Sequence, residues 1–199
     1  MALTKVQIVS NAITMLGHKP ILTLDADDSD ELTVAAEQAF DFLLESSIAA
    51  NTWRFAAAIT QLNLLNLETP PTYWKSVYQL PSGWIKTVRL YPHNYSWEIY
   101  ENLRIYSMWT GEMFMEYLFV PDISRLPSWF TKYFVFEIAA YLALSNAQKA
   151  DFYAPLEARR QKEIGIAMSI DAQNRPSHSQ QTFPILDITS RAPGGLIIG

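Results

Sequence analysis

Two glutamates, Glu112 and Glu116, stand four residues apart in an aromatic-rich stretch of the chain. A pair of carboxylates can hydrolyse a glycosidic bond, one acting as acid and the other as base or nucleophile. Even spacing on a strand puts both on one face, and a solvated acidic face is the simpler reading of that pattern. Five more acids, Asp25, Asp27, Asp28, Asp30 and Glu31, crowd a short interval. A calcium loop of the EF-hand type needs a central glycine and a closing glutamate at set positions. No glycine lies between Asp25 and Asn51, so the cluster reads as the start of a helix, where carboxylates meet the positive end of the dipole. The three histidines, His18, His93 and His178, have no partner at metal-ligand spacing and read as exposed loop residues. Arg159, Arg160 and Lys162 form the one basic cluster suited to a phosphate. Glu157 and Glu163 lie close by on the same helix, so a self-paired helix surface competes with that reading. Trp84, Trp97, Trp109 and Tyr106 can stack sugars or bases, yet at strand spacing such rings also make sheet core or interface.

Nothing else in the chain suggests catalysis. There is no G-x-S-x-G, no Walker loop and no G-x-G-x-x-G. The chain has no cysteine, which removes disulfides, thiolate nucleophiles and cysteine metal sites together. The expectation is a protein with no catalytic residue, no metal and no cofactor, and not an enzyme. The formal net charge of −5 argues against a general nucleic-acid binder, which carries a basic footprint. Of the 199 residues 49% are hydrophobic and only 18% charged, so a substantial core is expected. The 10 Tyr and 6 Trp outnumber the 10 Phe, and both favour half-wet interfaces. No run reaches the ~18 apolar residues of a membrane-spanning helix, and no secretory signal is visible. A soluble protein made and used without export, with no membrane, is the expectation.

The elements that must position these residues fall into three zones. Thr4 and Gln7 have capping-box spacing, and Val6, Val9, Ile13 and Leu16 follow at helical intervals until Gly17, which predicts a helix over 4–16. A second helix is predicted over 30–50, with Leu32, Ala36, Ala39 and Leu43 beside Phe40, Leu44 and Ile48. From Phe55 to Val120 the chain reads as strand: 58–64, 74–80, 84–91, 97–100 paired with 103–108 across Glu101-Asn102, and 113–120. Pro81-Ser82-Gly83, Pro92-His93-Asn94 and Thr110-Gly111 supply the turns, and the pattern predicts a small antiparallel sandwich or barrel. A long helix capped by Ser128 is predicted to Ala147, with Phe130, Phe134, Ile138, Tyr141 and Leu142 along one stripe. A last helix follows from Asp151, with Phe152, Leu156, Ile164 or Glu163, Ile166-Ala167 and Ile170 near one side. The final stretch, 174–199, is rich in Pro, Gly, Ser, Gln and Thr. It nevertheless holds an apolar hook, Phe183-Pro184-Ile185-Leu186-Asp187-Ile188. A purely solvating tail gains nothing from these apolar residues, so the segment is expected to order on a partner, for example by adding a strand to its sheet edge.

The order of these features resembles the tail tubular protein A family, the head-to-tail adaptors of short-tailed bacteriophages. The similar elements are Ala12-Ile13-Thr14-Met15-Leu16-Gly17 with Pro20-Ile21 and Thr23-Leu24-Asp25, then Trp53-Arg54-Phe55, then Leu80-Pro81-Ser82-Gly83-Trp84, and then Leu126-Pro127-Ser128-Trp129-Phe130 before a long helix. The likeness spans roughly residues 5 to 170. It implies an α+β fold, with a helical bundle built from segments 1–54 and 122–173. An antiparallel sandwich or barrel-like domain is inserted at 55–121, and an extended tail covers 174–199. It further implies a structural virion protein at the head-tail junction, assembled in the host cytoplasm as a homo-oligomeric ring of twelve subunits. The ring would lie between the portal protein and the tail nozzle protein, with genome DNA passing through without sequence-specific binding. An acidic protein suits such a conduit, because like charge keeps phosphate from sticking. The tail would bind the portal, with Phe183, Ile185, Leu186 and Ile188 as anchors. Two other functions fit the residues less fully: a tail-associated glycan hydrolase using the carboxylates of the β domain, and a head-completion protein without a nozzle partner.

Overall fold

The computed structural model describes residues 3–24, 31–66, 70, 73–101, 103–146 and 149–174. The fold is α+β, with two bodies. Four helices, α1 (Lys5–Met15), α2 (Glu31–Ala50), α3 (Ser128–Ser145) and α4 (Ala150–Gln173), form one. Seven strands inserted between α2 and α3 form the other: β1 (Ala57–Gln61), β2 (Asn63–Leu64), β3 (Ser76–Gln79), β4 (Lys86–Tyr91), β5 (Trp97–Tyr100), β6 (Arg104–Ser107) and β7 (Phe114–Leu118).

The first helix starts as its sequence dictates. Thr4 Oγ1 accepts from the Gln7 amide at 3.3 Å, and the Thr4 amide donates to Gln7 Oε1 at 2.9 Å. This reciprocal pair satisfies two helix-end donors. Past its end, Gly17 takes a φ of 81°, a left-handed conformation that side chains with a Cβ resist. On α2 every apolar residue predicted to face inward is buried. The helix packs on α1 and α3. At α3 the sequence misleads by one position: Pro127, not Ser128, is the residue before the first turn, and its carbonyl accepts from the Thr131 amide and hydroxyl at 2.9 and 3.1 Å. Proline fixes φ where an entering chain needs it, so no side-chain cap is required. Tyr141 also leaves the predicted stripe and is 40% exposed.

Helices α3 and α4 run antiparallel, because Lys132 meets Glu163 while Glu137 meets Arg160. The buried line of α4 is Leu156, Glu163, Ala167 and Asp171. Phe152 and Ile166, expected inside, are out in solvent. Two acids sit inside because basic and amide partners meet them there. The aromatic centre of the helical body is Trp53, whose indole N–H donates to the Ser47 carbonyl at 2.9 Å. Its ring lies 5.3 Å from Phe130 and 5.9 Å from both Phe55 and Trp129. The Trp53–Phe130 contact is edge-on, a geometry that adds to simple burial.

The inserted body is two antiparallel sheets, ordered β1-β7-β4 and β2-β3-β6-β5. Their facing sides share one core: Leu90 and Met115 from the first sheet meet Tyr78 and Ile105 from the second. The single strand expected over 58–64 is broken at Leu62, which is buried in that core while its amide donates to the Met113 carbonyl at 2.8 Å. There the chain leaves one sheet and enters the other. A bulge in β4 corrects a second expectation. Thr87 pairs with Tyr117 and Arg89 with Glu116, so Val88 is the extra residue and the alternation predicted over 84–91 fails there. Val88 then packs against the helical core while Leu90 enters the sheet core. Strands β5 and β6 pair as expected, with Tyr100 opposite Arg104.

Candidate functional site

The exposed large side chains of the inserted body include Ile59 and Phe114 on the three-stranded sheet, and Tyr73, Tyr95, Trp97 and Tyr100 on or beside the four-stranded one. A loop at 109–112 is held from within. The buried Tyr78 hydroxyl donates toward two carbonyls, Gly111 at 2.7 Å and Trp109 at 3.0 Å. The Trp109 indole folds over Gly111 so closely that a Cβ at residue 111 would lie 2.7 Å from its ring. Its N–H donates to the Glu112 carbonyl at 2.9 Å. Glycine is required at this position by close approach. Outside the loop, Tyr95 lies 4.6 Å from Trp109, and Tyr73 lies 4.7 Å from Trp74. Tyr73, Trp74 and Tyr95, with Trp97, Glu98 and Met108, border an open depression of about 580 Å³. Tyr73 is 65% exposed, and Tyr95, Trp97 and Tyr100 are exposed too.

Trp97 and Tyr100 belong to β5, an edge strand with one side unpaired among the described residues. The Tyr100 hydroxyl donates to Glu98, and that bond with the carboxylate, helped by some burial, raises the phenol above its ordinary pKa. The phenol stays neutral and a donor throughout the physiological range. Such a surface can recognise a partner by ring faces and an open strand edge.

Of the four aromatic residues singled out in the sequence, Tyr106 is buried, and Trp84 and Trp109 are half-buried against the sheet core. Trp97 alone presents its ring to solvent. Tyr73 and Tyr95 were not singled out. Their positions beside turns, between proline-rich and asparagine-rich stretches, were the signal available.

The carboxylate pair comes apart. Glu112 precedes β7, while Glu116 lies within it. Glu116 is 6% exposed, not on a solvated face, and its Oε1 takes Arg54 Nη1 at 2.6 Å. The expected solvated acidic face is thus replaced by an internal ion pair. Arg54 does double service, because its amide donates to both oxygens of Asp171, at 2.9 and 3.2 Å. One residue therefore ties α4 to β7, and the sequence offered no marker for it except the Trp-x-Phe setting.

The basic cluster is paired, as the helix-surface reading required. Arg160 meets Glu157 at 2.7 Å and Glu137 at 3.0 Å, and Arg159 meets Glu163 at 3.0 Å. Lys132 reaches the same Glu163 at 3.0 Å. The guanidinium of Arg160 holds the Glu157 carboxyl down to about 2. Burial pushes the nearby Tyr133 phenol up to about 12. Lys162 is exposed.

His93 is exposed in its turn, whereas His18 is half-buried, against expectation. His178, the acids Asp25 to Asp30, and the tail anchors Phe183, Ile185, Leu186 and Ile188 lie outside the described residues. Among the described residues no group of acids and histidines is placed to hold a metal ion, and no helix is long and apolar enough to cross a membrane. No family model matches the chain, and no curated protein matches it.

Proposed function

We propose that this protein is a head-to-tail adaptor of a short-tailed bacteriophage, a structural subunit of a ring between portal and tail nozzle. The observation that carries the reading is the division of the accessible surface. The helical body is made by the two ends of the described chain, and the inserted β body carries exposed rings, Tyr73, Tyr95, Trp97 and Tyr100 on or beside its four-stranded sheet and Phe114 on the other. A subunit that must join two different partners needs separate surfaces on separate bodies. In this reading the rings of the four-stranded sheet and its edge strand β5 face the nozzle, and the segment after Asn174 faces the portal. Phe183, Ile185, Leu186 and Ile188 are its anchors.

The order of elements supports the same reading, because helices from both chain ends flanking a β insert are what the sequence resemblance implies. A formal charge of −5 suits a wall past which DNA slides. About twelve weak tails acting together bind far more tightly than one, which permits ring closure once a portal is present. In this reading the protein acts by assembly. The ion pair of Glu116 with Arg54 weighs against the glycan-hydrolase alternative, since a general acid or base needs access to its substrate.

The test is deletion of residues 175–199. The shortened chain is expected to keep its circular dichroism spectrum and thermal transition and to lose binding to the cognate portal protein. Undiminished portal binding by the shortened chain would overturn the role given to the tail.

A further inference from the structure

The depression beside β5 is bordered by rings that are held in place. Tyr73 leans on the buried Trp74, with ring centres 4.7 Å apart, and Tyr95 leans on Trp109, 4.6 Å away. Trp109 is fixed in turn by its N–H on the Glu112 carbonyl and by its close approach to Gly111. Trp97 borders the same depression from β5. Rings already set by their neighbours lose little freedom when a ligand covers them. Between the rings the border is polar, with Ser96 and Glu98. A volume of about 580 Å³ lies in the range of small-molecule sites.

Charge decides which ligand fits. Among the described residues, the one charged side chain bordering the depression is Glu98. Its carboxylate accepts from the Tyr100 hydroxyl. Tyr106 stands directly opposite Glu98 and Arg104 opposite Tyr100, so Arg104 is the diagonal neighbour of Glu98 on the same sheet face, about 7–8 Å away. Further out, the exposed Glu101 and Glu112 are set against the exposed Lys75 and His93, which leaves the surroundings close to electrical balance. Glu98 is therefore a hydrogen-bond acceptor more than a counter-ion, and an organic cation gains little from it in such an open place. A nucleic-acid strand needs a cationic track for its phosphates, and this border supplies none. The complementary ligand is uncharged, with an apolar face for the rings and hydroxyl groups for the acceptors between them. A sugar ring has both, C–H bonds on its faces and hydroxyls around its rim.

We propose that the depression between Tyr73, Tyr95 and Trp97 is a binding site for an uncharged saccharide, which stacks on the rings and donates hydroxyl hydrogen bonds to Glu98. Hydrolysis takes a pair of carboxylates and one borders the depression, so the site binds its sugar without cleaving it. The proposal goes beyond the adaptor reading and does not rest on it. Where both hold, saccharide and nozzle compete for the same rings.

The test is isothermal titration calorimetry of the full chain with three uncharged probes, maltohexaose, cellohexaose and hexa-N-acetylchitohexaose, and with a short oligothymidylate for comparison. At least one saccharide is expected to bind with a Kd of about 1 mM or tighter, and the oligothymidylate is expected not to bind. Tyr73→Ala is expected to weaken the saccharide about tenfold, and Glu98→Gln several-fold, with both thermal transitions kept in place so that loss of fold is not mistaken for loss of the site. Ile59→Ala, exposed on the other sheet, is expected to bind like the unaltered chain. No heat from any of the three saccharides at about 10 mM would overturn the proposal. So would an oligothymidylate that binds as tightly as the best saccharide, or a Tyr73→Ala chain that binds undiminished. No portal or nozzle protein enters the test, so its failure is separate from a failure of the adaptor reading.

Discussion

Arg54 and Glu116 join the two bodies of the molecule. The guanidinium Nη1 lies 2.6 Å from Glu116 Oε1, and the carboxylate is nearly sealed from water while the arginine is about a third exposed. The amide of the same Arg54 is held by Asp171 near the end of α4. The seam between helices and sheets thus depends on charge as well as on the contacts of Leu118 and Val88.

Removing one partner leaves the other short of its counter-charge in a partly buried place. Arg54→Met is expected to destabilise the fold by about 1–3 kcal/mol, discounted for the arginine's own exposure. Urea unfolding measures it. Arg54→Met with Glu116→Leu should recover a good part of the loss, because no lone charge remains buried.

The capping box on α1 predicts a smaller effect. Thr4→Ala removes the oxygen that accepts from the Gln7 amide and is expected to cost about 1 kcal/mol in thermal or urea unfolding.

Stability should fall in strong acid through a known group. The Glu157 carboxyl titrates at about 2 in the fold, held there by Arg160, against an ordinary value of 4.5. A depressed carboxylate stabilises the fold fully above its unfolded pKa. The contribution is lost as pH falls from about 4.5 through 2. Glu157→Gln should flatten the stability profile in that window and leave it unchanged in shape above pH 6. At the alkaline end the sign is opposite. Tyr133 keeps its proton to about 12 when folded and releases it near 10 when unfolded, so its share of stability is lost as pH rises from 10 through 12. Tyr133→Phe should remove that loss.

The exposed rings of the β body separate stability from association. Tyr73→Ser is expected to shift unfolding by less than about 0.5 kcal/mol, because the residue is 65% exposed. Under the adaptor reading it weakens binding to the nozzle protein, read by surface plasmon resonance or co-sedimentation.

How much of this was legible in the residues depends on whether a local signal sufficed. The box at Thr4 and Gln7, the left-handed Gly17 and the apolar rows of α2 are local, and each appears where the spacing put it. The break at Leu62 was not legible, since nothing in Ala58–Leu64 marks the point where one sheet hands the chain to another. The bulge at Val88 was hidden for the same reason: two surfaces compete for residues of one parity, and only their meeting decides it. The buried acids Glu116, Glu163 and Asp171 show the general limit. A carboxylate reads as surface until its partners are known, and the partners come from elements distant in sequence. Exposed Phe152 and Ile166 are the counterpart, because the inward side of α4 was taken by Glu163 and its cations. The exposed rings of the β body were half legible: the abundance of Tyr and Trp announced an interface, but not which rings would be left outside.

The claim that the chain assembles into an adaptor ring is tested most directly by mass. Light scattering on the full chain mixed with its cognate portal should show the portal mass increased by about twelve subunits, while the chain without portal stays far below that size. A portal peak that gains no mass at any ratio of the two proteins would contradict the account.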